Sequence, residues 1–142
     1  MVCPTLSSAL TPNAAYALTL QRVVLGGLFL AHAGLKLFVF TPAGTAAYFQ
    51  SIGLPGPLAY VTMAVEILGG LALILGIYAR IVALPLAVLL LGTIATVHGA
   101  NGFFFNNTGG GWEYPAFWAL SLIVLAIGGD GALALRPTPT NR

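Results

Sequence analysis

The chain has 142 residues, of which 58% are hydrophobic and only 6% charged. A soluble domain carries charges at about 25% of its positions, so the composition excludes that class and indicates a one-domain integral membrane protein. The net charge of +2 is too small to indicate a nucleic-acid partner. The single cysteine, Cys3, excludes an internal disulfide and any paired-cysteine redox or metal site, and we expect no metal centre.

The first apolar stretch predicts a membrane helix from residue 14 or 16 to residue 38, after a flexible lead over residues 1–13. Thr41 and Pro42 then predict the start of a second, short helix that ends at Ser51, with Thr41 as its cap and Pro42 at its first position. About two turns cannot span a bilayer, so this helix is expected to lie at the membrane surface. The proline- and glycine-rich residues 52–57 turn the chain back.

Three further apolar stretches predict membrane helices over residues 58–77, over residues 81–97 with a continuation to His98, and from residue 112 or 114 to residue 128. A long loop rich in phenylalanine, asparagine and glycine, residues 100–111, separates the last two. The fold predicted is all-α: an up-down bundle of four transmembrane helices plus the interfacial helix, over residues 14–132. Residues 133–142 are expected to form a disordered tail.

Glycines recur seven residues apart in three of these helices, and small residues on one seam let membrane helices approach closely. We therefore expect packing at the pairs Gly27 and Gly34, Gly69 and Gly76, and Gly92 and Gly99.

The basic residues predict the orientation, because they are concentrated on the cytoplasmic side of membrane proteins. Arg22, Arg80, Arg136 and Arg142 lie toward the side that holds both termini, and only Lys36 lies toward the other side. Both termini are therefore expected in the cytoplasm, with the 100–111 loop outside.

The two cations of the first helix are expected near opposite membrane surfaces. Arg22 and Lys36 are 14 residues apart, or about 21 Å at 1.5 Å per residue. Long basic side chains can extend from that depth to the surface. This reading makes Arg22, like Arg80, a structural anchor, whereas Lys36 is equally suited to binding a ligand.

Glu66 is expected near the middle of the membrane, about 12 Å below the outer face by its distance from residue 58. A short acidic side chain cannot reach either surface from there, so it should be protonated or paired with a cation. His32 lies at a similar depth, and we predict a contact between His32 and Glu66 with Lys36 one turn above. The pair is either a polar link between two helices or a catalytic, proton-handling site.

Other polar and aromatic residues gather at the outer rim above Glu66. His98 lies about 27 Å along its helix from Arg80, and Glu113 opens the last helix on the same side, where it also suits the helix dipole. With Lys36 they form a candidate ligand-binding group. Trp112 and Phe104 are either part of an interfacial aromatic belt or a lid that stacks on a flat ring.

The ordered set of these residues resembles the DoxX/DoxD-like family of small four-helix membrane proteins. The residues that carry the resemblance are Arg22, Gly26, Phe29, Gly34, Lys36, Gly53-Leu54-Pro55, Glu66, Gly69-Gly70, Gly76, Arg80, His98 and Trp112-Glu113-Tyr114. The resemblance covers residues 19–130 and implies a bacterial or archaeal cytoplasmic membrane, with a link to quinone-coupled oxidation. The long loop before Trp112, and His32 inside the first helix, depart from the family pattern.

Three functions are consistent with these observations. The first is a membrane subunit of a quinone-dependent oxidoreductase complex, in which a quinone binds near protonatable groups and a redox partner is required. The second is a non-catalytic anchor or assembly subunit whose polar core sets the helix register. The third is a small proton-coupled transporter that works as a homo-oligomer.

Overall fold

The computed structural model describes residues 11–139, and the regular secondary-structure elements in this part of the chain are all helices. Its α-helices are α1 (Pro12–Gly34), α2 (Pro42–Ser51), α3 (Pro57–Leu75), α4 (Ala79–Thr93) and α5 (Glu113–Gly128). Both α1 and α4 continue into a π-helical turn, Leu35–Val39 after α1 and Ile94–His98 after α4. The prediction of an all-α fold is confirmed.

Three of the helical stretches are long and apolar enough to cross a membrane: Pro12–Val39, Pro57–Leu75 and Ala79–Asn101. The fourth, α5, is apolar but has only 16 residues, or about 24 Å against a hydrocarbon core of about 30 Å. Large apolar side chains on the outside of the bundle are exposed, as at Val88, Phe117 and Ile127. A surface of this kind is suited to lipid rather than to water.

Threonine–proline pairs begin two of the helices. The side-chain oxygen of Thr41 accepts a hydrogen bond from the Gly44 N–H at 3.1 Å, and Pro42 is the first residue of α2. The predicted start of this short helix is thus confirmed. The same pair, Thr11 and Pro12, begins α1, which is two to four residues earlier than the apolar pattern had indicated.

The bundle consists of two extensively packed helix pairs, α1 with α3 and α4 with α5, joined by smaller contacts. The closest approach between α1 and α3 is at Gly26 and Gly70, where a Cβ atom added to either residue would lie within 3 Å of the other's carbonyl oxygen. The seven-residue spacing had predicted packing at other glycines. It is confirmed at Gly69 and Gly76, where an added Cβ atom would lie within 3 Å of Leu86 and of Ala134, respectively. Added Cβ atoms at Gly27, Gly34 and Gly92 would meet nothing within 4 Å, so packing at those three residues was wrongly predicted.

The core between the two pairs contains fully buried leucines and two aromatic rings. Phe29 from α1 and Trp118 from α5 pack with ring centroids 4.5 Å apart. Both are shielded by apolar neighbours from α3, α4 and α5, which include Leu73, Leu86 and Leu122. This core links the two pairs at mid-height and leaves polar groups at both ends of the bundle.

The terminal end of the bundle holds the start of α1 and the C-terminal segment, defined here as residues 130–138. The backbone of this segment pairs with the connection between α3 and α4: Leu135 N–H donates to Leu75, and Tyr78 N–H donates to the Arg136 carbonyl at 2.8 Å. The predicted disordered tail is therefore wrong for residues 133–138. The rest of the predicted lead, residues 1–10, and residues 140–142 lie outside the described residues.

Candidate functional site

The opposite end of the bundle, called here the loop end, holds α2 and the 99–112 connection and encloses a cavity of about 930 Å³. All five helices contribute to its wall, which is predominantly apolar. Its titratable lining residues are His32 and Lys36 from α1 and its π turn, Tyr48 from α2, Glu66 from α3, His98 from the second π turn, and Tyr114 from α5.

An ion pair between α1 and α3 forms part of the cavity wall. Lys36 Nζ lies 2.8 Å and 3.0 Å from the two carboxylate oxygens of Glu66. The side chain of Glu66 is 5% exposed and that of Lys36 is 20% exposed. The prediction that His32 contacts Glu66 is therefore wrong, because the partner of Glu66 is Lys36. The four-carbon lysine chain reaches back from the next turn, so it carries its charge to the buried carboxylate instead of to the membrane surface.

His32 lines the same cavity with its other face against an aromatic ring. Its Nδ1 atom lies 2.9 Å from the Leu28 carbonyl oxygen of the preceding turn. The imidazole meets the Trp118 indole edge-on, with centroids 4.9 Å apart. Since a carbonyl oxygen only accepts, Nδ1 carries the hydrogen, and the lone pair of the neutral ring is at Nε2.

His98 is held in the same way by a different part of the chain. Its Nδ1 atom lies 2.9 Å from the carbonyl oxygen of Gly110, a glycine with φ +75°. This hydrogen bond joins the end of α4 to the glycine-rich loop. Neutral His98 therefore also has its lone pair at Nε2.

The π turns bring functional side chains to the cavity and were not predicted. Lys36 lies in the first π turn and His98 ends the second. A π turn widens the helix by one residue, and such turns are frequent at functional sites. The apolar periodicity of a membrane helix contains no signal for this insertion, because almost every position is hydrophobic.

Trp118 contributes a buried donor to the region. The residue is 4% exposed, and its indole N–H has no hydrogen-bond partner within residues 11–139. Since buried polar groups are normally satisfied, such a group calls for a ligand or a water molecule. Trp118 was not predicted as a site residue, because a tryptophan inside an apolar helix resembles any other core residue.

Three of the predicted ligand-binding residues do not line the cavity. The carboxylate of Glu113 accepts from the Phe105 N–H at 3.1 Å and so ties the loop to α5. Trp112 packs edge-on against Phe103 at 4.8 Å, and Phe104 packs against the same ring. The aromatic residues that do line the cavity are Phe40, Tyr48, Phe49, Phe105, Tyr114 and Trp118.

Arg22 lies far from this cavity, at the terminal end, and is 1% exposed. Its five N–H groups all donate to backbone carbonyls, at distances of 2.5 to 3.3 Å. The acceptors are Leu73 and Ile74 at the end of α3, and Asp130, Ala132 and Leu133 in the C-terminal segment. Arg22 is thus structural, but the interpretation that its side chain extends to the membrane surface is wrong.

Arg80 and Asp130 complete the terminal end. The Nε atom of Arg80 donates to the Ala126 carbonyl of α5 at 2.9 Å. The carboxylate of Asp130 accepts from the backbone N–H groups of Arg80 and Thr138. Arg80 therefore serves, like Arg22, to join helix ends, and neither residue contributes to the cavity.

Comparison with known proteins identifies the family. The family model named DoxX matches residues 17–99, more than half of the chain, and this range contains the ion pair and both histidines. The chain belongs to the DoxX family. Together with the apolar helices, this membership makes it a multi-pass membrane protein in contact with the lipid bilayer.

This DoxX protein is similar to two bacterial proteins over most of its length. A Bacillus subtilis (strain 168) protein named "Putative oxidoreductase CatD" is 39% identical over 118 residues, which are 83% of this chain and 83% of the relative. A Haemophilus influenzae (strain ATCC 51907 / DSM 11121 / KW20 / Rd) protein named "Uncharacterized protein" is 30% identical over 122 residues, which are 84% of this chain and 88% of the relative. No solved structure matches the chain significantly.

Proposed function

We propose that this protein is the membrane subunit of a quinone-linked oxidoreductase, and that its cavity binds a quinone-type ring. The observation that carries the proposal is the Lys36–Glu66 ion pair in the wall of a large, mostly apolar cavity that both histidines also line. A charged pair is costly to bury in a membrane and is typically found where a membrane protein performs its function.

The size and lining of the cavity suit such a ligand. A volume of about 930 Å³ is at the upper end of the range for small-molecule sites. Phe105, Tyr114 and Trp118 line it with aromatic rings on which a flat ring can stack. Apolar walls with a few convergent polar groups are the usual composition of a binding site for an amphipathic ring.

The polar groups of the wall suit proton exchange with a bound quinone. Interconversion of a quinone and its dihydroxy form moves two protons and two electrons. Histidine and carboxylate side chains are the usual groups for the protons. The electrons require a redox partner, so we propose a soluble or membrane oxidoreductase subunit, consistent with the name of the Bacillus relative. A further copy of this chain is a second candidate partner.

We also propose that the protein lies in a bacterial or archaeal cytoplasmic membrane with both termini in the cytoplasm and the cavity near the outer face. The support is the distribution of the basic residues within residues 11–139: Arg22, Arg80 and Arg136 lie toward the terminal end, and Lys36 alone lies toward the loop end. A reporter active only outside the cytoplasm, fused after Arg142, should stay silent, whereas one inserted at Asn106 should be active. The reverse pattern contradicts this orientation.

The quinone proposal is tested on the purified protein in detergent. A short-chain benzoquinone should raise the unfolding midpoint of the wild type in a concentration-dependent manner. Glu66→Gln and Lys36→Met should lose this shift relative to their own ligand-free midpoints. Glu113→Gln is the matched control, because Glu113 lies outside the cavity, and it should keep the shift. No shift in the wild type with either the benzoquinone or its dihydroxy form favours a non-catalytic anchor subunit, and proton uptake by reconstituted vesicles without a partner favours a transporter.

A further inference from the structure

The hydrogen-bonding groups of the cavity wall are unequally divided between donors and acceptors. Both histidines use their Nδ1 hydrogens on backbone carbonyls, at 2.9 Å in each case. Neither Nε2 atom has a hydrogen-bond partner among the described residues. Each neutral histidine therefore offers the cavity a lone pair and no hydrogen.

Three threonine hydroxyls of the wall are in the same situation. Thr93 donates to the Leu90 carbonyl at 2.8 Å, and Thr96 donates to the Gly92 carbonyl at 2.8 Å. Thr45 donates to the Thr41 carbonyl at 2.9 Å. A hydroxyl has one hydrogen, so each of these groups retains only lone pairs for a ligand.

The ion pair adds to the excess of acceptors. Lys36 Nζ has three hydrogens, and three protein oxygens lie within reach of it: the two of the Glu66 carboxylate and the His32 carbonyl at 3.5 Å. Among the described residues the carboxylate accepts from Nζ only, so it keeps unused lone pairs. The lysine is thus occupied within the protein, while Glu66 can accept a further hydrogen bond.

The donors that remain are few. The Trp118 N–H is the one buried side-chain donor without a partner in residues 11–139. Thr62, Tyr48 and Tyr114 also line the cavity, and their hydroxyls can either donate or accept. Six groups are committed as acceptors, those of His32, His98, Glu66, Thr45, Thr93 and Thr96, against this single committed donor.

We infer that the cavity binds the reduced, dihydroxy form of the ring in preference to the quinone. A dihydric phenol brings two O–H donors to a wall rich in acceptors, whereas a quinone brings two more acceptors. The hydroxyls of the phenol accept as well as donate, so the hydroxyls of Thr62, Tyr48 and Tyr114 can still donate to them. This inference rests on the proposed function, and it makes His98 an acceptor toward the ligand.

Three ligands with the same six-membered ring and different hydrogen-bonding groups separate the possibilities: a short-chain 1,4-benzoquinone, its 1,4-dihydroxy form, and the di-O-methyl ether of that form, which is larger by two methyl groups. Their affinities for the full-length protein in detergent are measured under anaerobic conditions by calorimetry or thermal shift. One hydrogen bond contributes about two- to tenfold in affinity. We therefore expect the dihydroxy form to bind more tightly than both others by at least about fivefold.

The outcomes are distinct. Equal affinities for the quinone and the dihydroxy form, or tighter binding of the quinone, overturn this inference and leave the proposed function standing. Equal affinities for the dihydroxy form and its methyl ether overturn it too, since the ether lacks both donors. Failure of all three ligands to bind overturns the proposed function itself, and the inference with it.

Two substitutions of His98 connect the preference to the acceptor at Nε2. His98→Gln keeps an acceptor oxygen at about that position and should retain the preference for the dihydroxy form. His98→Leu removes it and should weaken binding of the dihydroxy form by about two- to tenfold, with little change for the methyl ether. If His98→Leu weakens all ligands equally, the residue acts through the fold of the loop and the assignment of its lone pair is overturned.

Discussion

Arg22 and Lys36 are two cations on the same helical stretch, 14 residues apart. Their side chains differ in their hydrogen-bond partners and in their exposure. The five hydrogens of Arg22 meet five backbone carbonyls, and 1% of the residue is exposed. Lys36 meets one carboxylate beside a cavity, and 20% of its side chain is exposed.

The difference separates a structural charge from a candidate functional one. The carbonyls around Arg22 include those at the end of α3, where the helix dipole is negative, and they leave no room for a ligand. At the loop end, unused acceptors line open space, and the buried Trp118 N–H has no partner in residues 11–139. Depth in the membrane does not distinguish the two sites, whereas the number of unsatisfied groups does.

The largest effect should come from Arg22→Met. This change removes one donor from each of five carbonyls. Those of Leu73 and Ala132 keep a second donor, the Gly76 N–H and the Thr19 hydroxyl, and each buried group left unsatisfied costs about 1–3 kcal/mol before any relaxation. We expect a loss of more than about 3 kcal/mol in the free energy of unfolding, or roughly 10 °C in the unfolding midpoint in detergent. Arg22→Lys keeps three N–H donors, so its unfolding midpoint should lie between those of the wild type and of Arg22→Met. A midpoint for Arg22→Met within a few degrees of the wild type would remove the contrast with Lys36.

The ion pair should be less costly to break. Lys36→Met leaves Glu66 without its cation, and we expect a loss of about 2 kcal/mol, below the range for fully buried pairs because the cavity admits water or a proton. The double variant Lys36→Met/Glu66→Met should recover most of this loss, measured as a double-mutant cycle of unfolding free energies. Additive losses from Lys36→Met and Glu66→Met would mean that the two side chains do not interact.

The close contact between α1, which carries both cations, and α3 can be tested by substituting two adjacent glycines of α1. Gly26→Ala places a Cβ atom 2.6 Å from the Gly70 carbonyl oxygen, which should push α1 from α3 and cost about 1–2 kcal/mol. Gly27→Ala meets nothing within 4 Å and should be neutral or stabilising by up to about 1 kcal/mol, since alanine is the better helix former. Unfolding midpoints compare the pair. Equal effects would place the helix contact elsewhere.

The smallest effect on stability should come from Trp118→Phe. It removes an N–H that has no partner in the described chain, so the lost packing is partly offset and the free energy of unfolding should change by less than about 1 kcal/mol. Ligand affinity should nevertheless fall by about two- to tenfold. The control is Trp112→Phe, which lies outside the cavity and should change neither quantity. A large loss of stability in Trp118→Phe alone would indicate that its N–H is satisfied by a buried water.

Composition and local sequence signals were enough to predict the protein class, the start of α2 and the titratable residues of the candidate site. A charge content of 6% is sufficient to assign a membrane protein, because unpaired charges are excluded from lipid. Thr41 and Pro42 were sufficient to predict the start of α2, since helix capping depends on neighbouring residues alone. The sequence also selected Lys36, Glu66, His32 and His98, because titratable groups are conspicuous in an apolar chain.

The tertiary structure alone decided which partner each of these residues has. Glu66 pairs with Lys36 and not His32, because a π turn and a flexible side chain set the geometry that depth arithmetic ignored. Arg22 binds carbonyls of a C-terminal segment more than 100 residues away, which no local pattern encodes. Backbone hydrogen bonds within the loop before α5 decide which of its residues line the cavity and which lie at the surface. Such partners depend on contacts between distant segments, and these form only when the helices pack.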